Sequence, residues 1–255
     1  MAFNIRKIIA GSLVLLTAAT AIPSLASALD DKQKQEIGAF IKEYLVANPE
    51  ILLEAQKALK AKQEQAQLEQ AKAAITDNKD AIFQSVHDVT LGNPKGDVTI
   101  VEFYDYNCGY CKRALTDMDA LLEKDKNVRF VLKELPILGP DSLAAHKVSA
   151  AFRLVAPEKY GEFHRALLGN EDRATEESAI AVAEELGVKE ADLRAKMVDA
   201  SNDEGVKEAY TLANTLGITG TPSYVIGNEA VFGAVGVEDL EAKVNNMRSC
   251  GSTIC

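Results

Sequence analysis

The sequence predicts an α/β fold that follows a helical arm, and a strand–helix–strand pattern is the main support for this. Val98–Tyr104 and Val128–Leu135 are nearly continuous apolar, β-rich runs, as is typical of strands covered on both faces. The helical pattern between them places four apolar residues on one face: Leu115, Met118, Leu121 and Leu122. Strand, helix and strand with a short return predict a right-handed βαβ unit.

The same kinds of pattern predict the elements around this unit and assign residues 78–255 to one domain. The predicted elements are a short strand over Asp88–Leu91, a helical insertion at about residues 141–216, a hairpin of Ser223–Ile226 and Ala230–Phe232, and a closing helix over Val237–Met247. The hairpin turns at Gly227-Asn228, a typical turn pair.

The first 28 residues predict a secretory signal peptide. Arg6 and Lys7 precede a 15-residue apolar run, Ile8–Ile22, and Ala26-Ser27-Ala28 supplies a small-residue cleavage pattern. The run is too short to cross a bilayer comfortably, although an uncleaved anchor is the alternative. We expect cleavage after Ala28, no membrane span afterwards, and a periplasmic destination, because the signal has a bacterial style. Disulfides persist in that compartment.

Charge and composition limit the classes of function. The chain of 255 residues carries 28 Lys and Arg against 38 Asp and Glu, a formal charge of −10. This balance argues against nucleic acid as a partner, since phosphate contacts need a basic surface. An apolar content of 47% excludes collagen-like and wholly disordered classes.

Residues 29–77 predict an amphipathic helical arm and a spacer. Apolar residues recur at helical spacing, which indicates one stripe: Ile37, Phe40, Ile41, Tyr44 and Leu45. Lys60–Ala74 consists almost entirely of strong helix formers with little to bury, so it predicts a semi-rigid spacer, with a flexible linker as the alternative. The stripe either docks on its own domain or packs against other copies. We favour self-association, because a polar spacer does not fold back easily.

Cys108-Gly109-Tyr110-Cys111 stands where a buried strand passes into a helix. Free N–H groups and the positive end of the helix dipole stabilise a thiolate there, and the pKa of such a CxxC thiol falls from about 8.5 to roughly 3.5–7.5. We predict Cys108 as the exposed nucleophile and Cys111 as the resolving thiol.

Two other interpretations of the cysteine pair are an inert disulfide and half of a zinc site. Zinc requires further ligands at suitable spacing, and the three histidines, His87, His146 and His164, form no ligand pair with another cysteine. The sequence therefore predicts no metal site and no organic cofactor.

Glu102 lies six residues before Cys108 inside the first apolar run. A buried carboxylate there would have a raised pKa and would take the proton of Cys111; the alternative is a glutamate that faces water. Lys133 either pairs with Glu102 or lies at a solvated strand end.

Two further features predict substrate contacts. Thr221-Pro222 precedes the hairpin, and a cis proline at such a turn would leave the Thr221 backbone to pair with an extended peptide, although most X–Pro bonds are trans. Tyr110, with Tyr104 and Tyr106, predicts an apolar rim for unfolded peptides, unless Tyr104 belongs to the core.

Several of these motifs together resemble the DsbA-like thioredoxin-fold proteins, over roughly residues 78–248. They are Val101-Glu102-Phe103, the Cys108–Cys111 motif, the helical insertion and Thr221-Pro222. The resemblance implies a thioredoxin fold with a helical insertion and a redox-active Cys108–Cys111 pair whose first cysteine is the nucleophile. It also implies a carboxylate at Glu102 beneath the cysteines and a cis-proline loop at Thr221-Pro222.

The arm is similar to the N-terminal segment of ScsC proteins, the suppressor-of-copper-sensitivity branch. Its matching motifs are Glu36-Ile37, Tyr44-Leu45, Asn48-Pro49-Glu50 and Leu52-Leu53. Some members of that branch are trimers through this segment, which implies a homo-oligomer and a disulfide isomerase or reductase. A dithiol oxidase and a copper-binding protein are the alternatives. The implied partners are unfolded or misoxidised exported proteins and a membrane thiol redox partner.

Cys250 and Cys255 form a second pair at the end of the chain. A small structural disulfide that pins the tail is the simplest interpretation. A second redox pair or a soft-metal site with Met247 is the alternative, since thiolates and thioethers favour Cu(I).

Overall fold

The computed structural model describes residues 30–198 and 202–255. The predicted signal peptide, residues 1–28, lies outside them. The described residues divide into two compact units, with the boundary between Lys57 and Ala58. None of the helices in the described ranges combines the length and the apolar character required to cross a bilayer.

The predicted α/β fold with a helical arm is confirmed. The helices are α1 Asp31–Ala47, α2 Glu50–Asp77, α3 Lys79–Phe83, α4 Gly109–Lys124, α5 Pro140–Val155, α6 Tyr160–Gly169, α7 Glu176–Glu185, α8 Glu190–Met197, α9 Asn202–Leu216 and α10 Val237–Cys250. The strands are β1 Val89–Gly92, β2 Val98–Tyr104, β3 Val128–Glu134, β4 Ser223–Ile226 and β5 Glu229–Phe232. Helices α5–α9 form the predicted insertion.

The strands form one mixed sheet in the order β1-β3-β2-β4-β5. β2 and β3 are parallel, as a βαβ unit requires, and the other neighbours are antiparallel. β4 and β5 are joined by the two-residue turn that the sequence predicts, in which Gly227 has a φ of 58°. Only glycine adopts such a φ without a steric cost.

Each face of the sheet supports its own hydrophobic cluster. Ile100 and Tyr104 of β2 pack into the larger cluster, with α4, α10 and the insertion. Val101 and Phe103 pack into the smaller one, with α9 and the end of α2. Successive side chains of a strand point to opposite faces, so Glu102 lies on the face of α4.

The C-terminal turns of α2 contain buried residues, whereas Leu52, Leu53 and Leu59 nearer its start are exposed. Ala71, Ala74 and Ile75 are buried, and the last two pack into the smaller cluster. The predicted arm extends to residue 77, whereas the compact unit that contains the sheet already begins at Ala58. The difference arises because small apolar residues in the last turns of the spacer helix have a core to bury against.

In the first unit, α1 presents the predicted stripe to the outside. The exposed fractions are 66% for Phe40, 50% for Ile41 and 49% for Tyr44, and the Phe40 and Tyr44 rings stack with centroids 6.0 Å apart. Asn48 ends α1, since both its backbone N–H and its side-chain amide donate to the Tyr44 carbonyl.

Candidate active site

Cys108 is the N-cap of α4. Its sulfur accepts a hydrogen bond from the backbone N–H of Cys111 at 3.3 Å, as an N-cap side chain does when it satisfies a free donor of the first turn. Both cysteines are free thiols. The strand-to-helix passage thus places the Cys108 sulfur at the positive end of the helix dipole.

The two thiols have pKa values displaced in opposite directions. A hydrogen bond with Cys111 is the largest cause that lowers the pKa of Cys108 to about 6; hydrogen bonds with Thr221 and with backbone N–H groups act the same way against burial. Burial raises the pKa of Cys111 far above its ordinary value, and the neighbouring charges of Cys108 and Glu102 add to this. At neutral pH the first sulfur is therefore a thiolate and the second a thiol.

The Thr221–Pro222 peptide bond is cis, and this loop lies directly against Cys108. The Cys108 sulfur lies 3.1 Å from the Thr221 carbonyl oxygen, to which it donates a hydrogen bond only in its protonated, thiol form. Cys108 is only 5% exposed and Cys111 is fully buried. Cys108 is thus less exposed than the sequence suggests, because Thr221 lies against its sulfur.

Glu102 is buried, at 3% exposure, as predicted, and the alternative of a glutamate that faces water is wrong. Burial raises the pKa of its carboxyl to about 8, and the charge of Cys108 acts in the same direction. Lys133 does not pair with it, and neither is Lys133 solvated. Its ammonium lies on the opposite face of the sheet, 2.6 Å from Asp88 and 3.1 Å from Glu208.

Only one of the three tyrosines near the cysteines reaches the surface. Tyr110 is 60% exposed and the Arg113 guanidinium lies 4.5 Å from its ring centre. Tyr104 and Tyr106 are buried, so they do not form a rim. The Tyr106 hydroxyl bonds to Ser149 of α5 at 3.0 Å, and both rings pack in the larger cluster.

Three polar residues beside the motif were missed by the sequence analysis. The Asp105 carboxylate accepts hydrogen bonds from the Asn107 N–H, the Ser142 hydroxyl and the Leu138 N–H, all at 2.8–2.9 Å. The Asn107 amide forms reciprocal bonds with the backbone of Ala174.

Lys112 completes this attachment, since its ammonium contacts three backbone carbonyls, those of Asn170, Glu171 and Asp172. The active-site turn is therefore fastened to the insertion on both sides of Cys108. In the sequence, these residues are marked only by their polarity and their position beside the CxxC motif. Neither feature identifies the residues to which they bond.

The terminal cysteines form a disulfide, Cys250–Cys255. The loop that it closes buries Thr253, whose carbonyl accepts a hydrogen bond from the Asn246 amide at 2.9 Å. Within the described part of the chain, His, Cys, Asp and Glu side chains nowhere form a group of three or more that would hold a metal ion.

A family model described as a DSBA-like thioredoxin domain matches residues 99–245, which include Cys108, Cys111 and the cis proline Pro222. The chain belongs to the DSBA-like thioredoxin family. A second model, the copper resistance protein ScsC N-terminal domain, matches residues 33–66. The resemblance inferred from the motifs is thereby confirmed for both parts of the chain.

Solved structures support the same assignment for this DSBA-like protein. A thioredoxin-like oxidoreductase from Silicibacter pomeroyi is 38% identical, with a TM-score of 0.65, over 68% of this chain and 99% of that one. The thiol-disulfide exchange protein α-DsbA2 from Wolbachia pipientis is 30% identical, with a TM-score of 0.66, over 71% and 98%. A linker-deletion mutant of Proteus mirabilis ScsC is 25% identical, with a TM-score of 0.67, over 88% and 99%.

Among curated proteins, the chain is similar to the Na(+)/H(+) antiporter NhaA 3 of Salinispora tropica. The two are 26% identical over 157 residues, 62% of this chain and 24% of that protein. The match thus spans about a quarter of that relative. The family assignment therefore rests on the DSBA-like thioredoxin model and on the solved structures.

Proposed function

We propose that this DSBA-like protein reduces and isomerises disulfides of exported proteins in the periplasm. The contrast between its two thiols supports this most directly. Cys108 has a pKa lowered to about 6, whereas burial keeps Cys111 protonated. A thiolate is the attacking form in disulfide exchange, so Cys108 is the nucleophile.

In the proposed reaction, the Cys108 thiolate attacks one sulfur of a client disulfide. A mixed disulfide forms, and the other client sulfur leaves as a thiolate. Reduction is completed when Cys111 loses its proton and attacks Cys108, which releases the second client sulfur as a thiolate and leaves Cys108 and Cys111 joined. In isomerisation, another client thiolate attacks the client sulfur of the mixed disulfide instead, and Cys108 is regenerated as a thiolate.

Glu102 is the proposed base for Cys111. The Glu102 carboxyl is buried close enough to raise the pKa of Cys111, and its own pKa of about 8 suits a proton acceptor near neutral pH. The cis-proline loop at Thr221-Pro222 would hold the client chain beside Cys108, and the exposed Tyr110 would contact it from the other side. Thiol exchange in this scheme needs no organic cofactor; a membrane thiol partner would reduce the Cys108–Cys111 disulfide after each reduction.

The exposed stripe of α1 supports an assembly of several copies. Phe40, Ile41 and Tyr44 are each about half exposed or more, and burial of such apolar surface favours association. The similarity to the ScsC N-terminal domain favours a trimer. Several thiol sites around one client raise the effective concentration of nucleophiles, which suits isomerisation better than oxidation.

The substitution Cys108→Ala tests the proposed chemistry. We expect the variant to lose both reduction and isomerisation of a protein with scrambled disulfides, because no other thiolate is poised at the helix terminus. The matched control replaces both Cys250 and Cys255 with Ser and should retain activity. Full activity of Cys108→Ala would refute the mechanism, and faster disulfide formation than isomerisation by the native protein would favour a dithiol oxidase.

A further inference from the structure

A cavity of about 490 Å³ opens beside the cis-proline loop. Its walls are the end of α9, the loop that contains Thr221 and Pro222, the end of β5, and one face of α2. The volume is in the range of about 300–1,000 Å³ that is typical of ligand sites. The α2 wall consists of Gln67, Gln70 and Ala71, which belong to the stretch that composition marks as a spacer.

Thr221 lies between the cavity and the reacting sulfur. Thr221 lines it, and the carbonyl oxygen of Thr221 lies 3.1 Å from the Cys108 sulfur. A polypeptide joined to Cys108 by a mixed disulfide, with its backbone along Thr221, would therefore enter the cavity within a few residues, since an extended chain advances roughly 3.3 Å per residue.

The lining is uncharged. Amide and hydroxyl side chains dominate it, and among the described residues that line it none is charged: Gln67, Gln70, Asn214, Thr215, Thr219 and Thr221 supply most of the polar groups. Leu216, Pro222 and the half-exposed Phe232 add apolar surface. A phosphate or carboxylate ligand would find no ion partner among these residues.

Amide side chains suit one particular ligand chemistry. Each Gln or Asn offers both donors and an acceptor, so it can pair with the N–H and C=O groups that every residue of an extended polypeptide presents. Such hydrogen bonds do not depend on the amino-acid sequence of the ligand. An enzyme that acts on many clients requires this independence.

We propose that this cavity binds the main chain of the client polypeptide on one side of the attacked cysteine, with Gln67 and Gln70 of α2 as its outer wall. This rests on the proposed function and extends it, because it assigns part of the client site to the helix that leads from the arm. Small disulfides without a polypeptide chain would react at Cys108 without using the cavity.

The double substitution Gln67→Ala and Gln70→Ala in the full mature protein tests the proposal. Reduction is measured with two substrates, an unfolded disulfide-containing polypeptide and bis(2-hydroxyethyl) disulfide. We expect the KM for the polypeptide to rise at least about fivefold, since two hydrogen bonds between neutral groups are lost. The kcat for the polypeptide and the rate with the small disulfide should not change.

Gln65→Ala is the matched control, because Gln65 lies on the same helix but about 200° around the axis from Gln67 and bonds to Glu69 instead. It should leave both rates as in the native protein. An unchanged polypeptide KM in the double variant, an equal rise in the Gln65→Ala variant, or an equal loss with both substrates would each overturn the proposal. Failure of the native protein with both substrates would instead refute the proposed function. Alanine favours the helix at these exposed positions, and circular dichroism verifies the fold.

Discussion

The sulfur atoms of Cys108 and Cys111 have pKa values shifted in opposite directions, because Cys108 caps a helix whereas Cys111 lies in the core. Cys108 caps α4 and receives hydrogen bonds from the first turn of the helix. Cys111 points inward and is fully buried, where a thiolate would lose its hydration. In the proposed reaction, a client disulfide would therefore meet the thiolate of Cys108 first and the thiol of Cys111 second.

The alkylation rate of Cys108 should report its lowered pKa. We expect the rate of reaction with iodoacetamide to rise through pH 6 with an inflection at about 6 and to level off above it, because only the thiolate reacts. Cys111→Ala should move the inflection upward, since the Cys111 hydrogen bond is the largest cause of the shift. An inflection near the ordinary value of about 8.5 in the native protein would contradict the assignment.

Glu102→Gln should change the dependence of stability on pH. The pKa of Glu102 is raised from 4.5 to about 8 in the folded protein, so the folded state binds the proton more tightly than the unfolded state. Its contribution to stability is therefore present below pH 4.5 and declines as the pH rises to about 8, by about 1.4 kcal/mol for each pH unit. The free energy of unfolding of the glutamine variant, measured with urea from pH 4.5 to 8, should lack this decline. If the native protein and the variant showed the same dependence of this free energy on pH, the raised pKa of Glu102 would be contradicted.

The same substitution should also slow the second chemical step. Without the carboxylate, Cys111 loses its proposed base, and we expect release of the client from the mixed disulfide to slow by roughly a hundredfold. Stopped-flow measurement of mixed-disulfide decay checks this, while the first attack by Cys108 serves as the internal control and should remain fast.

At the scale of elements, the register of the sheet decides which charges face which side. Glu102 pairs with Leu132 in the β2–β3 ladder and Phe103 pairs with Lys133. Alternation along the strands therefore separates Glu102 from Lys133 by the thickness of the sheet. Lys133 instead joins β3 to Asp88, just before β1, and to Glu208 of α9.

Lys133→Met should destabilise the protein by about 3–5 kcal/mol at pH 8, because it leaves the buried Asp88 carboxylate without its cation. The pKa of Asp88 is raised by burial to about 7, so this carboxyl is largely neutral at pH 5 and the loss should be smaller there. Urea unfolding at both pH values measures the difference. Adding Asp88→Asn should recover part of the loss at pH 8, and an equal loss at both values would contradict this account.

At the scale of the whole molecule, the chain combines a well-packed unit that contains the sheet with a helix, α1, whose side chains are largely exposed. α1 has no buried residue, although it carries aromatic and aliphatic side chains at helical spacing. Amphipathic helices gain most of their stability from packing of the apolar face. Association between copies would supply that packing.

Phe40→Glu together with Ile41→Glu should convert the mature protein to a monomer, because two carboxylates would have to be buried in the contact. Light scattering measures the mass. The monomer should still reduce small disulfides at the native rate but isomerise scrambled proteins several-fold more slowly, through the loss of effective concentration. Lys42→Glu, on another side of α1, is the charge control; a native protein that is already monomeric would refute the assembly.

The sequence by itself determined most of the elements and the position of Cys108 at the start of α4, because these follow from local rules. Continuous apolar, β-rich runs located β2 and β3 within one residue of their ends, and the change from strand to helix pattern indicated that Cys108 lies at the start of a helix. Only the tertiary structure decided which distant groups meet: Lys133 with Asp88, Asn107 with Ala174, and the end of the spacer helix with the cluster that contains Leu216 of α9. Each of these contacts joins residues that are tens of positions or more apart, and no spacing along the chain specifies such a pairing until the sheet register and the helix packing place the two side chains together.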